Sequence, residues 1–411
     1  VMTAREDRRR GVGRAGFLRL TTALICAALA IGSLAATAAA QEPPEDPGFV
    51  DVIEVSGLLD PVLTAFISDA IDDAEASGAL HLVLQVNSKG AVITDGQLRE
   101  LADQMAASGA PVSIWVGPSG SEMLGGTAQL AAVANDVCIS PNSRIGDLGE
   151  SILDEEVLVA HFGDALSRLR DRTFSDDEAT DAGIARLAPV LGDCLIELDG
   201  FQSRVVDSDT GQPRREPVTQ TFFIGMSLLD QLFHTIASPP VAYLLFLIGM
   251  GLLVFELYTA GVGIAGVVGA FCFIGGCYGL EVLPARGWAV ALLVLSMFAF
   301  AVDIQTGVAR VWTGIAVATL IVGSVGLFGE HDFSWITLGA GIIGMVLAMV
   351  SGMPAMVRTR FSTPTIGREW MIGEMGEAVD DVSPDGQVKV RDALWRAHTN
   401  RATPIKAGES V

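Results

Sequence analysis

The chain has 411 residues, half of them apolar and only 18% charged, with a net charge of −22. The charge is uneven: +4 over residues 1–40, −22 over 41–220, −4 over 221–355 and zero over 356–411. So apolar a sequence excludes a disordered or fibrous protein and argues against an ordinary soluble enzyme, and the lack of a basic face argues against nucleic acid as a partner.

The first 40 residues read as a signal peptide. Arg5, Arg8, Arg9, Arg10, Arg14 and Arg19 form a positive start, Leu20 to Leu34 an apolar core, and Ala38-Ala39-Ala40 the small residues before Gln41. The alternative is an uncleaved anchor, and in either case the segment that follows is exported. Cys138 and Cys194 are the two cysteines of that segment. An oxidising compartment permits a disulfide between them, but their spacing does not require one. With no CxxC pair and no histidine cluster, no metal or cofactor is expected.

Residues 41–47 are a proline-rich linker. An alternation of strands and helices follows. Phe49–Val55 reads as a strand. Asp60-Pro61 is a helix start, and Leu63, Phe66, Ile67, Ala70, Ile71 and Ala74 repeat at helical spacing. Leu82–Val86 is a second strand, Leu98, Leu101 and Met105 mark a helix, and Val112–Val116 is a third strand. After Pro118-Ser119-Gly120 a small-residue helix is expected to about Ala134, then a strand at Val137–Ile139. This order predicts an α/β domain with a mainly parallel sheet, over residues 48–205. Residues 151–180 are acidic and helix-prone, and 206–236 read as a linker and juxtamembrane segment.

Residues 237–355 predict a membrane block of about five spans: Val241–Leu257, Val262–Leu280, Trp288–Val302, Val311–Phe328 and Trp335–Met353. The second run, with Gly261, Gly263, Gly266 and Gly269, is the weakest as a continuous helix. Glu256 ends the first run; a carboxylate there can be functional, but at an interface it is more often simply solvated. The few charges in the runs argue against a transporter. An exported N-terminal domain and five spans put the C-terminus in the cytoplasm. Arg358, Arg360 and Arg368 after the last run agree, set against Glu330, His331 and Asp332 before it, while Arg286 dissents. The tail, 366–411, reads as a small β-barrel with strands at Met375–Val379, Val388–Arg391 and Leu394–Ala397, possibly truncated, and Trp395 as one of its core residues.

This organisation resembles the NfeD family, membrane-bound relatives of ClpP-class serine proteases. The run Val83-Leu84-Gln85-Val86-Asn87-Ser88-Lys89-Gly90-Ala91 resembles the family's strand and glycine turn, and Pro118 to Thr127 its nucleophile turn. Trp370 to Ala378, Pro384 to Val390 and Leu394 to Ala397 resemble its barrel. The resemblance implies a ClpP/crotonase-like domain, a multi-pass helical membrane block and an OB-type barrel. It implies serine endopeptidase activity and stomatin- or flotillin-like membrane partners. A homo-oligomer in the lipid bilayer is expected.

The site residues depart from that pattern. Laid without gaps on Gly120 to Gly126, the family's serine position is Leu124, which cannot be a nucleophile. The ClpP-type base position, after Asn142-Ser143-Arg144, is Leu148. The family's lysine base has no counterpart, because no lysine lies between Lys89 and Lys389. The oxyanion turn keeps Gly90 but has Ala91 beside it. Ser119, Ser121 and His161 are the weak replacement candidates, with Asp147 or Glu150 to orient the histidine and His81 as the other base. Their bland reading is a turn, a helix cap and an amphipathic helix. The sequence predicts an inactive ClpP-like scaffold or binding protein; the alternative is a membrane-bound serine protease that cuts a hydrophobic segment of such a partner. A leucine at position 124 is also expected to fill the vacated pocket.

Overall fold

The structure is a computed structural model and describes residues 48–207, 213–259, 263–306, 311–328, 334–356, 369–400 and 403–411. The expected signal peptide, the 41–47 linker, Gly261 and the loop charges Arg310, Glu330, His331, Asp332, Arg358, Arg360 and Arg368 lie outside the described residues. Two compact units form.

The first unit opens with β1 (Phe49–Ser56) and α1 (Pro61–Ser77). Asp60 caps α1 by accepting from Leu63 N at 2.7 Å, with Pro61 in the first turn. β2 (His81–Asn87) and α2 (Asp95–Ala107) follow, the helix started by a Thr94–Gln97 capping box. Then come β3 (Val112–Val116), β4 (Glu122–Leu124), α3 (Gly125–Gln129), a 3₁₀ turn at Leu130–Val133, β5 (Asp136–Ile139) and β6 (Arg144–Gly146). The expected continuous helix from Gly120 to Ala134 is therefore broken: residues 122–124 pair as a strand first, and two glycines open the helix late. The acidic stretch forms α4 (Glu155–Phe162), α5 (Leu166–Leu169), β7 (Thr173–Ser175) and α6 (Asp176–Asp181). β8 (Arg186–Leu187) and α7 (Leu191–Leu195) complete the region read as the exported domain.

Residues 206–236 are more than a linker. β9 (Ser203–Asp207) pairs antiparallel with β10 (Pro213–Pro217), and β11 (Gln220–Ile224) returns to the main sheet. That sheet is wholly parallel, in the order β11-β1-β2-β3-β5-β8. Alternate strand residues face opposite sides, as the pleat requires. Ile53, Leu82, Leu84 and Ile114 join the larger core with α1 and α2. Val50, Val52, Val83, Trp115 and Cys138 form a second core with Cys194, Leu195 and Leu198. A disulfide joins Cys138 to Cys194, tying β5 to α7. The unit ends in α8 (Leu228–Ile236), capped by Ser227, and also takes in the first residues of α9 (Pro239–Thr259) and residues 275–285, which hold the end of α10 (Ile264–Val282).

The remainder of α9 and α10 belongs to the second unit, with α11 (Gly287–Thr306), α12 (Val311–Gly326) and α13 (Trp335–Leu347). Among the described residues, four helices are long and apolar enough to cross a membrane: Pro239–Tyr258, Ile264–Val282, Gly287–Thr306 and Trp335–Met356. The expected fourth run is shorter, a 16-residue helix of about 24 Å. The glycine-rich second run, by contrast, is one continuous helix of 19 residues over Ile264–Val282. Its glycines serve close packing: a Cβ on Gly269 would lie 2.9 Å from Leu252 Cβ. Glu256 is not merely solvated. Its carboxylate accepts from Gly266 N at 3.3 Å, on the first turn of α10, where the helix dipole favours negative charge.

The tail is a three-stranded antiparallel sheet of β12 (Gly376–Ala378), β13 (Asp385–Val390) and β14 (Ala393–His398). Single bridges from Glu377 to Ser410 and from Val382 to Ile405 bring the last residues back onto it. Ala378, Val382, Val388 and Val390 form its core, with Trp395 packed against them.

Candidate functional site

The glycine turn after β2 meets the elbow between β4 and α3. Ser88 N donates to Glu122 O at 2.6 Å, and Leu124 N donates to Ser88 O at 3.0 Å. Gly125 lies so near Gly90 that a Cβ on it would stand 3.3 Å from Gly90 Cα. Leu124 is the last residue of β4 and the N-cap of α3, with extended backbone and no side-chain cap. A nucleophile would need this strand-to-helix corner, and the residue there is an alkyl chain. Leu124 is half-buried, so it does not fill a closed pocket as the sequence suggested.

The turn is closed by its own side chains, a feature invisible in the sequence pattern. Gly90 has φ +142°, which a side chain would strain. Its N–H points back to Ser88 Oγ at 3.4 Å, while the Ser88 hydroxyl donates to Gly90 O at 3.1 Å. Thr127 Oγ1 lies 3.3 Å from the same hydroxyl, and both Ser88 and Thr127 are buried. Gly90 O also accepts from Leu59 N at 2.9 Å, and Ala91 bridges to Leu59 in parallel register. An oxyanion hole needs N–H groups aimed at a vacant position; here the Gly90 N–H is turned inward.

The base positions fare no better. Leu148 is buried in the main core, and its carbonyl accepts from Gln129 Nε2 at 3.0 Å. Gln129 was missed by sequence reading because its neighbours are small and apolar. It is fully buried and makes four bonds to one loop: Nε2 to Leu148 O and Glu150 O, and Oε1 from Ile152 N and Leu153 N. This amide fixes the segment that holds Leu148, the position the sequence reading expected for a ClpP-type base.

The replacement candidates are not brought together by any hydrogen bond among the described residues. Ser119 is exposed and donates to Pro141 O at 2.5 Å, a turn bond. Ser121 is buried, and its N–H donates to Ser143 Oγ at 3.1 Å. His161 sits half-buried on α4 against Phe162, ring centroids 4.8 Å apart. Burial pushes its pKa down, partly offset by a backbone hydrogen bond at Ile184, and its Nε2 has no partner among the described residues. His81 is a structural residue whose Nε2 lies 3.0 Å from Asp199 O.

A second polar constellation lies at the base of the domain. His234 of α8 places Nδ1 2.7 Å from Asp60 Oδ2 and Nε2 2.8 Å from Ser56 O. Asp60 is buried and uses its other oxygen to cap α1. The hydrogen bond to Asp60 raises the His234 pKa, against the opposing effect of burial. A cavity of about 490 Å³ adjoins this pair, lined by Ser56, Gly57, Phe66, Met226 and His234 among others.

Residues 240–353 match the NfeD integral membrane domain, and residues 368–411 match the NfeD-like C-terminal, partner-binding domain. The membrane block and the tail are thus similar to the two domains of the NfeD family. Over 389 residues it is 22% identical to membrane-bound protease PH1510 of Pyrococcus horikoshii, covering 85% of this chain and 88% of that one. It is also 22% identical to membrane protein NfeD1b of Bacillus subtilis, over 60% of each chain. Among solved structures, ClpP-like neighbours match the N-terminal part of the chain. One is the 1510-N membrane protease specific for a stomatin homolog from Pyrococcus horikoshii, 16% identical, covering 46% of this chain and 98% of that one, with a TM-score of 0.37. Another is ClpP1 from Listeria monocytogenes, 15% identical, covering 34% and 92%, with a TM-score of 0.29.

Proposed function

We propose that this chain is a catalytically inactive, membrane-anchored scaffold of the NfeD type that binds a stomatin- or flotillin-like membrane protein. One observation carries the inactivity: the strand-to-helix corner holds Leu124, beside a turn whose Gly90 N–H is bonded to Ser88 within the chain. Acyl transfer loses many orders of magnitude without nucleophile and base, and a residual oxyanion hole rescues only part of that. The C-terminal partner-binding domain and the relationship to a membrane-bound protease support a binding role for the parts that remain. In this reading the ClpP-like domain lies outside the cell membrane, the C-terminal domain in the cytoplasm, and several copies assemble.

The rival is a working serine protease with a relocated site. The lowered pKa and unpartnered Nε2 of His161 favour it, since a neutral imidazole can take a proton. The test is fluorophosphonate labelling of the full chain in mild detergent. No labelling is expected in the wild type or in Leu124→Ser, whose half-exposed site should cost only about 1 kcal/mol of stability. The double variant Leu124→Ser with Leu148→His is expected to label slowly at best, because the new histidine enters the core. Wild-type labelling abolished by Ser119→Ala or Ser121→Ala would establish the protease instead. Co-purification with mass spectrometry then identifies the partner.

A further inference from the structure

The helix α8 is divided cleanly into two faces. At 100° per residue, Leu228, Leu229, Leu232, Phe233 and Ile236 fall on one side, and Asp230, Gln231, His234 and Thr235 on the other. The polar side is occupied: His234 is held by Asp60 and Ser56 of the ClpP-like domain. The apolar side is left open, with Leu228, Leu229 and Leu232 exposed by 87%, 62% and 54%. Such a face in water is costly, at about 25 cal/mol per Å² of apolar surface. Only Ala237 and Ser238 separate α8 from α9, the first membrane helix. At no more than about 3.5 Å per residue, the end of α8 stays within roughly 10 Å of the point where that helix begins. Phe233 packs on Tyr278 near the end of α10, ring centroids 5.1 Å apart, so α8 is fastened to a second membrane helix as well. Gly279 gives this contact its closeness, because a Cβ there would lie 2.5 Å from Ile236 O.

We infer that α8 is an interfacial membrane helix, lying in the headgroup–acyl boundary of the bilayer with Leu228, Leu229 and Leu232 turned into lipid. Its polar side carries the ClpP-like domain through the His234–Asp60 pair, so the domain sits on the membrane surface. The polar face of α8 has no lysine or arginine. Insertion is therefore driven by apolar burial and needs no anionic lipid, unlike basic amphipathic helices.

The experiment uses the full chain in nanodiscs of zwitterionic phosphatidylcholine. Cys26, Cys272 and Cys277 are replaced by alanine, leaving the Cys138–Cys194 disulfide, and a nitroxide is placed at Leu229→Cys or, as the polar-face control, at Thr235→Cys. Collision rates with oxygen and with a water-soluble nickel chelate are measured by power saturation. The inference expects several-fold more oxygen than nickel collision at 229 and the reverse at 235. Nickel access at 229 equal to that at 235 would overturn it. So would spin–spin broadening at 229 that disappears on dilution with unlabelled chain, which would mean that a second copy covers the face.

Discussion

At the scale of single residues, two side chains that no motif flagged hold the site region. Gln129 is one. Its buried amide satisfies four backbone groups of the 148–153 loop, and each buried hydrogen bond contributes about 1 kcal/mol. Gln129→Met keeps the volume but strands those groups, so it should cost about 3 kcal/mol, read as a lowered midpoint in thermal or denaturant unfolding. His234 is the other. Its folded pKa lies above the ordinary imidazole value of 6.5 because it hydrogen-bonds to Asp60. A raised value means the pair stabilises fully below about pH 6.5 and loses that stabilisation as pH climbs through the folded pKa. His161, with its pKa lowered by burial, has the opposite slope: stability is full above about pH 6.5 and is lost as pH falls through its lowered pKa. The two are separated by comparing wild type with His234→Gln between pH 6 and 8.5. The variant should be less stable by about 2 kcal/mol at pH 6, the difference shrinking at higher pH. A pH-independent difference would mean that His234 acts only through packing.

At the scale of elements, the strands β1, β2, β3 and β5 and the helices α1 and α2 were legible because each carries a clear signal. Asp60-Pro61 starts α1, and the runs at 82–86 and 112–116 are buried on both faces, as parallel strands are. β11 was not legible, since Gln220–Ile224 follows a polar, proline-containing stretch and is an edge strand whose meaning depends on pairing with β1. The corner at Leu124 was readable from alignment with a family turn. The closure of the Gly90 turn by Ser88 was not, because it is a matter of hydroxyl geometry rather than of residue type. The Cys138–Cys194 pairing was likewise open in the sequence, and the second core now accounts for it: both cysteines are buried there beside Trp115. The bridge closes a loop with a sequence separation of 56. In the chain-entropy treatment such a loop stabilises by about 4 kcal/mol. Replacing both cysteines by serine should lower the melting temperature of the domain by about 10 °C. An unchanged melting temperature would show that the thiols are not bridged in the folded protein.

At the scale of the whole molecule, the side on which the C-terminal domain lies turns on α12. Among the described residues, four helices have the length of a span, and an even number would return the chain to the side it left. α12 has only 16 residues, yet its C-terminal end packs back against the start of the 20-residue α11. Gly323 approaches Ala289 O and Leu293, a Cβ on Gly326 would strike Trp288, and Arg286 N donates to Leu327 O at 2.9 Å. The end of α12 thus returns to the level at which α11 starts, and α11 is itself long enough to cross. An antiparallel partner matched at that end is expected to cross too, with a thinner apolar band, which a locally thinned bilayer accommodates at a cost of fractions of a kcal/mol per Å. We therefore predict five crossings, with the C-terminal domain opposite the N-terminal α/β domain. A reporter fused after Gly200 should be active only outside the cytoplasm, and one fused at Val411 only within it. If both report the same side, α12 does not cross. A further fusion within residues 307–310 then separates α12 from an earlier failure: if α12 is the helix that does not cross, three crossings through α11 put that reporter opposite Gly200 while Val411 stays on the side of Gly200.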